Sequence, residues 1–303
     1  MMRAMSKEND LLNYTIEFLK YLKDEKNYSK FTVINYGKDL KLFLEFLKCE
    51  NIEKINQINY SILRKYLSFL YEKDYSKKTI SRNISTLRSF FKYQMKKNYI
   101  KENPMIFIEN PKLDKKLPKV LYSNDLENLL NTPDTTTALG QRDSAILEMF
   151  YSTGIRVSEL VNLKITDINF ADKRIKILGK GSKERYVLYG SVLDKKLNQY
   201  LQSGYQELNK NKSDFIFLNK NGKPLTTRGV EMILDNIIKK SGLNYHISPH
   251  VLRHTFATDM LNNGADLKIV QELLGHENLA TTQIYTHVSN ERLRQVYLNS
   301  HKR

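Results

Sequence analysis

Three prolines, Pro104, Pro111 and Pro118, fall in the stretch NPMIFIENPKLDKKLPK and break the apolar periodicity on either side of it. Proline lacks a backbone N–H and clashes with the preceding turn, so neither a helix nor a central strand runs through such a segment. A chain of 303 residues is long enough for two domains. The break therefore predicts an N-terminal domain at residues 1–112 and a C-terminal domain at 120–303, with a linker at about 104–119.

The first hundred residues read as helices. Leu12, Ile16, Leu19 and Leu22 follow the three-to-four spacing of one helical face. So do Tyr36, Leu40, Phe43 and Leu47, and then Leu63, Tyr66, Leu67 and Leu70. A fourth set is Ile80, Ile84, Leu87, Phe91 and Met95. Opposite that fourth face lie Lys78, Arg82, Lys92 and Lys96, with Arg88 at the margin. Residues 76–101 hold eight basic side chains and no acidic one. A solvated helix usually mixes signs, because opposite charges four apart support each other. A face of one sign points to an anionic partner, with nucleic acid the first suspect. A plain solvated lysine face is the competing reading.

The formal net charge is +16, from 49 basic and 33 acidic side chains. Both parts share it, at +9 for residues 1–112 and +7 for the remainder. Such an excess attracts polyanions, nucleic acid first and an anionic membrane surface second. A lysine-rich composition bias accounts for part of it. The lone Cys49 cannot form an internal disulfide, which points to a reducing compartment, and its place in LFLEFLKCE reads as helix-face packing. The opening MMRAMSKENDLL lacks a signal-peptide apolar core, and no run approaches the ~20 apolar residues of a membrane span. The expected place is the cytoplasm.

The C-terminal part mixes helices with a few strands. NDLENLL starts on a capping residue, RDSAILEMFYSTG ends at Gly154 as a C-cap, and RVSELVNL reads as a short helix. KRIKIL and RYVLY flank the turn GKGSK as two alternating strands, and DFIFLNKNGKPL suggests a third strand with an Asn-Gly turn. Helix resumes at 228–240. The expected fold is mainly α, with a small antiparallel sheet in the C-terminal domain.

Candidate chemistry lies in the same part. In ISPHVLRHTFAT, Ser248 suits an N-cap and Pro249 the first helical position. His250 then falls in the first turn, where free N–H groups attract anions, and Arg253 shares its face. Together they make a plausible phosphate clamp. His250 and His254 have a zinc-like spacing, but HVLRH lacks the glutamate of that motif, its arginine repels a cation, and the chain has no CxxC. His254 reads as packing. In GIRVSEL, Glu159 lies one turn beyond Arg156 and can hold its guanidinium, although local sequence alone favours an ordinary surface pair. Lys180 sits in a glycine-rich turn that allows close approach to a ligand, a weak signal by itself. In ELLGHENLATTQIYTH, His276 follows a helix-ending glycine and Tyr285 lies nine residues on. A free tyrosine, with a pKa near ~10, is a poor nucleophile unless cations stabilise its phenolate and the transition state.

Read together, TGIRVSEL, GKGSKER, SPHVLRHTFAT and LLGHENLATTQIYTHV resemble, in that order, the tyrosine recombinase (phage integrase) family. No single piece is specific; the combination over residues 153–288 is. The family pattern of Arg, Lys, His-x-x-Arg, His and Tyr falls on Arg156, Lys180, His250, Arg253, His276 and Tyr285. NGADLKIVQELLGHENLATTQIYTHV is most similar to the bacterial Xer recombinases. The resemblance implies a two-domain, C-shaped DNA clamp, with a helical core-DNA-binding domain and a catalytic domain. It implies that Tyr285 attacks a scissile phosphate to form a 3′-phosphotyrosyl link and free a 5′-hydroxyl. Arg156, Arg253 and His276 stabilise the non-bridging oxygens, Lys180 protonates the leaving oxygen, His250 assists near the nucleophile and Glu159 supports the site. The phosphotyrosine stores the bond energy, so neither metal nor ATP is implied.

The implied partners are a double-stranded recombination site and a homo- or hetero-tetramer on two duplexes. Involvement of a DNA translocase stays open, and no membrane is implied. The implied setting is the bacterial nucleoid. By the same analogy NERLRQVYLNSHKR is the terminal helix that docks into a neighbour through Leu293, Val296 and Tyr297. The expected biology is Xer-type resolution of chromosome dimers. The alternative is the integrase or resolvase of a mobile genetic element. A type IB topoisomerase shares the chemistry, and a catalytically silent DNA-binding module is opposed by the complete set of six residues.

Overall fold

The computed structural model describes residues 10–112, 120–179, 184–275 and 290–301, with backbone alone at 290–293. The chain forms two compact units, Met1–Lys116 and Leu117–Arg303.

The first unit holds four helices, α1 (Asp10–Asp24), α2 (Lys30–Cys49), α3 (Tyr60–Glu72) and α4 (Lys77–Lys96). Three start on side-chain caps: Ser29, Asn59 and Ser76 accept from the amides of Thr32, Ile62 and Thr79. Their shared core is rich in aromatics, with Phe18 edge-on to Phe90 at 5.5 Å and Phe43 edge-on to Tyr66 at 4.9 Å. Two buried polar links pin α4 in place. Tyr66 Oη donates to Asn83 Oδ1 at 3.0 Å, and Thr86 Oγ1 donates to Asp39 at 2.8 Å.

The expected faces of α2 and α3 are the inward ones, but α1 is turned. It buries Thr15, Phe18 and Leu22, while Leu12 and Ile16 are 42% and 56% exposed. Leu11, Tyr14, Leu19 and Tyr21 also pack on the core, so the apolar arc is wide and the large Phe18 ring sets its centre. On α4, Met95 is exposed, and Phe90, Tyr93 and Gln94 are buried beside Ile80, Ile84, Leu87 and Phe91. Cys49 is exposed as the last residue of α2 rather than packed.

The second unit is mainly helical with one small sheet, as expected. Its helices are α5 (Ser123–Asn131), α6 (Ala138–Thr153), α7 (Val157–Leu160), α8 (Ser191–Gln199), α9 (Tyr205–Leu208), α10 (Thr227–Ser241), α11 (Pro249–Asn262), α12 (Leu267–Leu274) and α13 (Asn290–Ser300). A π-helical turn, Tyr200–Gly204, joins α8 to α9. Helix α6 is the axis of the unit, with Ala145, Ile146, Leu147, Met149 and Phe150 fully buried. Helix α5 starts at Ser123 behind Tyr122, which makes no side-chain cap bond, so Asn124 is not its cap.

Strands β1 (Ile168–Asn169), β2 (Arg174–Leu178) and β3 (Glu184–Leu188) form an antiparallel sheet in that order, with Ile175 opposite Val187 and Ile177 opposite Arg185. The stretch 215–218 is not the third strand. Its backbone joins only single bridges, Lys164 to Phe215 and Leu218 to Pro224. Ile216, Phe217 and Leu218 are buried, which explains the strand-like pattern, but side chains satisfy the Ile216 and Leu218 carbonyls, while Phe217 O accepts from a backbone amide, that of Leu225. Tyr200 Oη donates to Ile216 O at 3.0 Å and Arg142 Nη1 to Leu218 O at 2.9 Å. The Asn-Gly turn is present, with Gly222 left-handed at φ 71°.

Helix α13 differs from expectation. Tyr297 is 1% exposed and buried in its own unit, against Phe256, Met260 and the apolar face of α12, and donates to Ser152 O at 3.0 Å. Val296 packs on the same cluster. In the single chain the tyrosine is satisfied within its own unit; the Leu293 side chain lies outside the described residues.

Candidate active site

Two helix ends build the site. Helix α6 stops at Gly154, left-handed at φ 58°, and α12 stops at Gly275, left-handed at φ 65°. Both positions require glycine twice over. A Cβ on Gly154 would lie 2.6 Å from Phe256 and 2.8 Å from Leu274, and one on Gly275 would lie 2.9 Å from Arg185.

Each cap is tied by an arginine from elsewhere. Arg253, on the second turn of α11, donates through Nη1 to Gly154 O and through Nη2 to Leu274 O at 2.7 Å. Arg156, at the N-cap of α7, donates through Nη2 to Gly275 O at 3.1 Å. Carbonyls at a helix end lack internal partners and carry the negative end of the dipole, so a guanidinium is a favourable partner. The chain passes from Gly154 into Arg156, so these bonds bring residues 156, 253 and 275 to one place.

Glu159 organises the cations. It is 9% exposed, and its Oε1 accepts from Arg156 Nη1 at 2.9 Å while its Oε2 accepts from the Arg156 backbone amide at 2.8 Å. Burial raises its pKa, but hydrogen bonds from Arg185 and the Arg156 amide, with the charge of Arg185, hold the carboxyl below the usual range. Arg253 is 8% exposed, and among the described residues no carboxylate lies within ion-pair distance of it. Burial first, and then the neighbouring charge of Arg156, lower its pKa to about 10, so it stays charged at neutral pH. Among the described residues Glu159 is paired with Arg156 and Arg185, while the Arg253 guanidinium beside them binds backbone carbonyls alone, so three positive charges meet one negative one. That surplus of fixed positive charge in a half-buried place suits an oxyanion or phosphate.

A model of the phage integrase family matches residues 119–292, and one of the phage integrase N-terminal SAM-like domain matches residues 16–98. The chain belongs to the phage integrase family. Similar proteins within it include the tyrosine recombinase XerC of Oceanobacillus iheyensis, 49% identical, the match covering 97% of this chain and 98% of that protein. The tyrosine recombinase XerC of Bacillus subtilis is 45% identical over 96% and 97%. Among solved structures, XerH site-specific recombinase bound to difH substrate in a pre-cleavage complex is 29% identical, with a TM-score of 0.67 over 97% of this chain and 90% of that one. A lambda integrase tetramer bound to a Holliday junction shares the fold at 16% identity, with a TM-score of 0.69 over 95% and 84%.

Within this phage integrase, the structure brings Arg156, Glu159 and Arg253 together. His250 is exposed in the first turn of α11, behind Pro249 at the first helical position. Ser248 occupies the N-cap position, but its side chain makes no cap bond. His254 is half-buried one turn further on. Lys180, His276 and Tyr285 lie outside the described residues.

The expected DNA-binding face of α4 divides. Lys78 and Lys92 are exposed. Arg82 is 42% exposed, with Nη1 2.7 Å from the Asp39 carboxylate, and Lys96 Nζ lies 5.1 Å over the Tyr21 ring. Arg88 is half-buried and donates to Ile108 O, so it braces its own unit rather than extending the basic face.

The residue that sequence reasoning passed over is Arg185. It donates to both oxygens of Glu159, each at 2.8 Å, and its side chain is 17% exposed. The signal was present in the strand pattern. Residues two apart on a strand share a face, and buried Val187 puts Arg185 on the inward side, where a charge demands a partner.

Proposed function

We propose that this chain is a site-specific recombinase of Xer type, which cuts and rejoins double-stranded DNA through a covalent phosphotyrosine. The observation that carries the reading is the cross-tied pair of arginines. Arg253 binds Gly154 O, two residues before Arg156, and Leu274 O, and Arg156 binds the adjoining Gly275 O, so two guanidinium groups distant in sequence meet at one pair of helix ends.

On this reading Arg156 and Arg253 hold the non-bridging oxygens of the scissile phosphate and offset the charge that develops in the transition state. Tyr285 Oη attacks phosphorus, the bond to the 5′-oxygen breaks, and a 3′-phosphotyrosyl link forms. His250 takes the phenolic proton and Lys180 gives one to the departing 5′-oxygen. His276 adds a third donor to the phosphate. Attack by a 5′-hydroxyl from a partner strand reverses each step and restores Tyr285, so no external energy source enters. Glu159 keeps Arg156 oriented.

The relatives named tyrosine recombinase XerC support the Xer-type reading, and on that reading protomers assemble on two duplexes at chromosomal sites and resolve chromosome dimers. No helix among the described residues is long and apolar enough to cross a membrane, and we place the protein in the cytoplasm, acting on the nucleoid.

A nicked duplex that loses a short fragment on cleavage traps the covalent intermediate. The wild-type protein forms an adduct resistant to denaturation, and Tyr285→Phe binds the same duplex without forming one. An adduct formed by Tyr285→Phe would remove that residue from its role. Relaxation of supercoiled plasmid lacking any target site would instead favour a topoisomerase.

A further inference from the structure

Arg185 belongs to none of the six positions that carry the chemistry, yet its bonding saturates the carboxylate beside them. Glu159 Oε1 accepts from Arg185 Nη1 and Arg156 Nη1, and Oε2 accepts from Arg185 Nη2 and the Arg156 amide. Both oxygens are therefore shared. Arg156 reaches Glu159 through one side-chain nitrogen only, and its Nη2 turns to Gly275 O. Arginine and carboxylate form their strongest pair as a two-bond fork. Here that fork belongs to Arg185, so Arg156 is left singly held.

The flat side of Arg185 is fixed as well. A Cβ on Gly275 would lie 2.9 Å from its Cδ and Nε and 3.1 Å from its Cζ, so the guanidinium lies directly on the glycine cap of α12. Among the described residues its Nε is buried and makes no hydrogen bond. Arg185 also stands opposite Ile177, one pair from the Leu178–Glu184 end of the β2–β3 ladder. It thus joins the hairpin, the α7 carboxylate and the α12 cap.

We propose that Arg185 is a positioning residue for DNA cleavage: by occupying Glu159 in a two-bond fork against Gly275, it stops that carboxylate from capturing Arg156 and keeps the Arg156 guanidinium available to the scissile phosphate. This rests on the reading of Arg156 as a phosphate ligand. Without Arg185, Glu159 keeps its place near Arg156 but has two vacant acceptor positions. It then closes its own fork on Arg156 and competes with the phosphate. The damage comes from a freed carboxylate, so removing that charge repairs it.

The test measures single-turnover cleavage of the nicked duplex at saturating DNA, alongside DNA affinity by gel shift and folding by thermal melting. Arg185→Ala is expected to slow adduct formation about 10–100-fold, the range seen when an orienting neighbour of a functional ligand is lost. Its DNA affinity should stay within about threefold, because most affinity comes from phosphate contacts elsewhere. Adding Glu159→Gln to Arg185→Ala should recover about fivefold or more, since a neutral amide binds a guanidinium less strongly than a carboxylate.

Arg185→Lys, which keeps the charge but cannot form the fork, should fall between wild type and Arg185→Ala, and it carries the comparison if the alanine variant melts below the assay temperature. Wild-type cleavage rates in both Arg185 variants, or a loss that Glu159→Gln leaves unchanged, would overturn the proposal. A wild-type protein that forms no adduct would sink the recombinase reading instead, so the two failures are distinct.

Discussion

On the proposed reading Arg253 has two duties, which different measurements separate. Its Nη groups satisfy Gly154 O and Leu274 O, and its charge is kept in a place with no carboxylate of its own among the described residues. Arg253→Ala should reduce adduct formation at saturating DNA by about 10²–10³-fold, the cost of losing one oxyanion donor. The same change should lower stability by about 1–3 kcal/mol, because buried acceptors are left unpaired. Urea unfolding reads that second effect without DNA. Gly154→Ala should destabilise by about 1–3 kcal/mol through its left-handed backbone and the close approach of Phe256 and Leu274, seen as a lower melting temperature. Glu159 gives a pH dependence with a definite sign. Its folded pKa lies below the unfolded value of about 4.3, so its contribution is complete above that pH and is lost as pH falls through the folded value. Unfolding free energy measured between about pH 6 and pH 3 should therefore fall more steeply in the wild type than in Glu159→Gln.

At the level of elements, α13 carries the clearest prediction. Tyr297 is fully buried in its own unit, so Tyr297→Ala should lower stability by about 3–5 kcal/mol, and the loss should not depend on protein concentration. A concentration-dependent loss would mean that the helix sits on a neighbouring molecule. The burial of Tyr297 was not legible from the tail alone, because a one-turn apolar stripe fits either surface. Other elements were open to reading. Gly154 at the end of an apolar helix and Pro249 at the start of another mark real boundaries, since the backbone preferences of glycine and proline act locally. Faces of helices were legible where large side chains cluster on one side, as on α3, and not where the apolar arc is wide, as on α1. The buried run 215–218 imitated a strand because burial and hydrophobicity look alike whether a ladder or side chains satisfy the carbonyls. For the site, it was the combined motifs and the family they resemble, not any local pair, that pointed to Arg156, Glu159 and Arg253. Arg185 escaped because the strand pattern turns it inward but does not name its partner, which lies 26 residues away.

For the whole molecule, a net charge of +16 places much of the DNA affinity in phosphate contacts. Affinity should fall linearly in log–log form as salt rises. Replacing Lys78 and Lys92 together with alanine should reduce that slope by about 2 and weaken binding to all sequences alike. Arg82→Ala should instead cost folding stability first, since buried Asp39 loses its counter-charge. A slope unchanged by the double lysine variant would move the DNA-facing surface of the first unit away from α4. The two left-handed glycine ends have a wider consequence. The guanidinium groups proposed to grip the substrate are also the mortar between α6, α7, α11 and α12. Durability and turnover in this enzyme are thus tied to the same few atoms, and a change that perfects one of them alters the other.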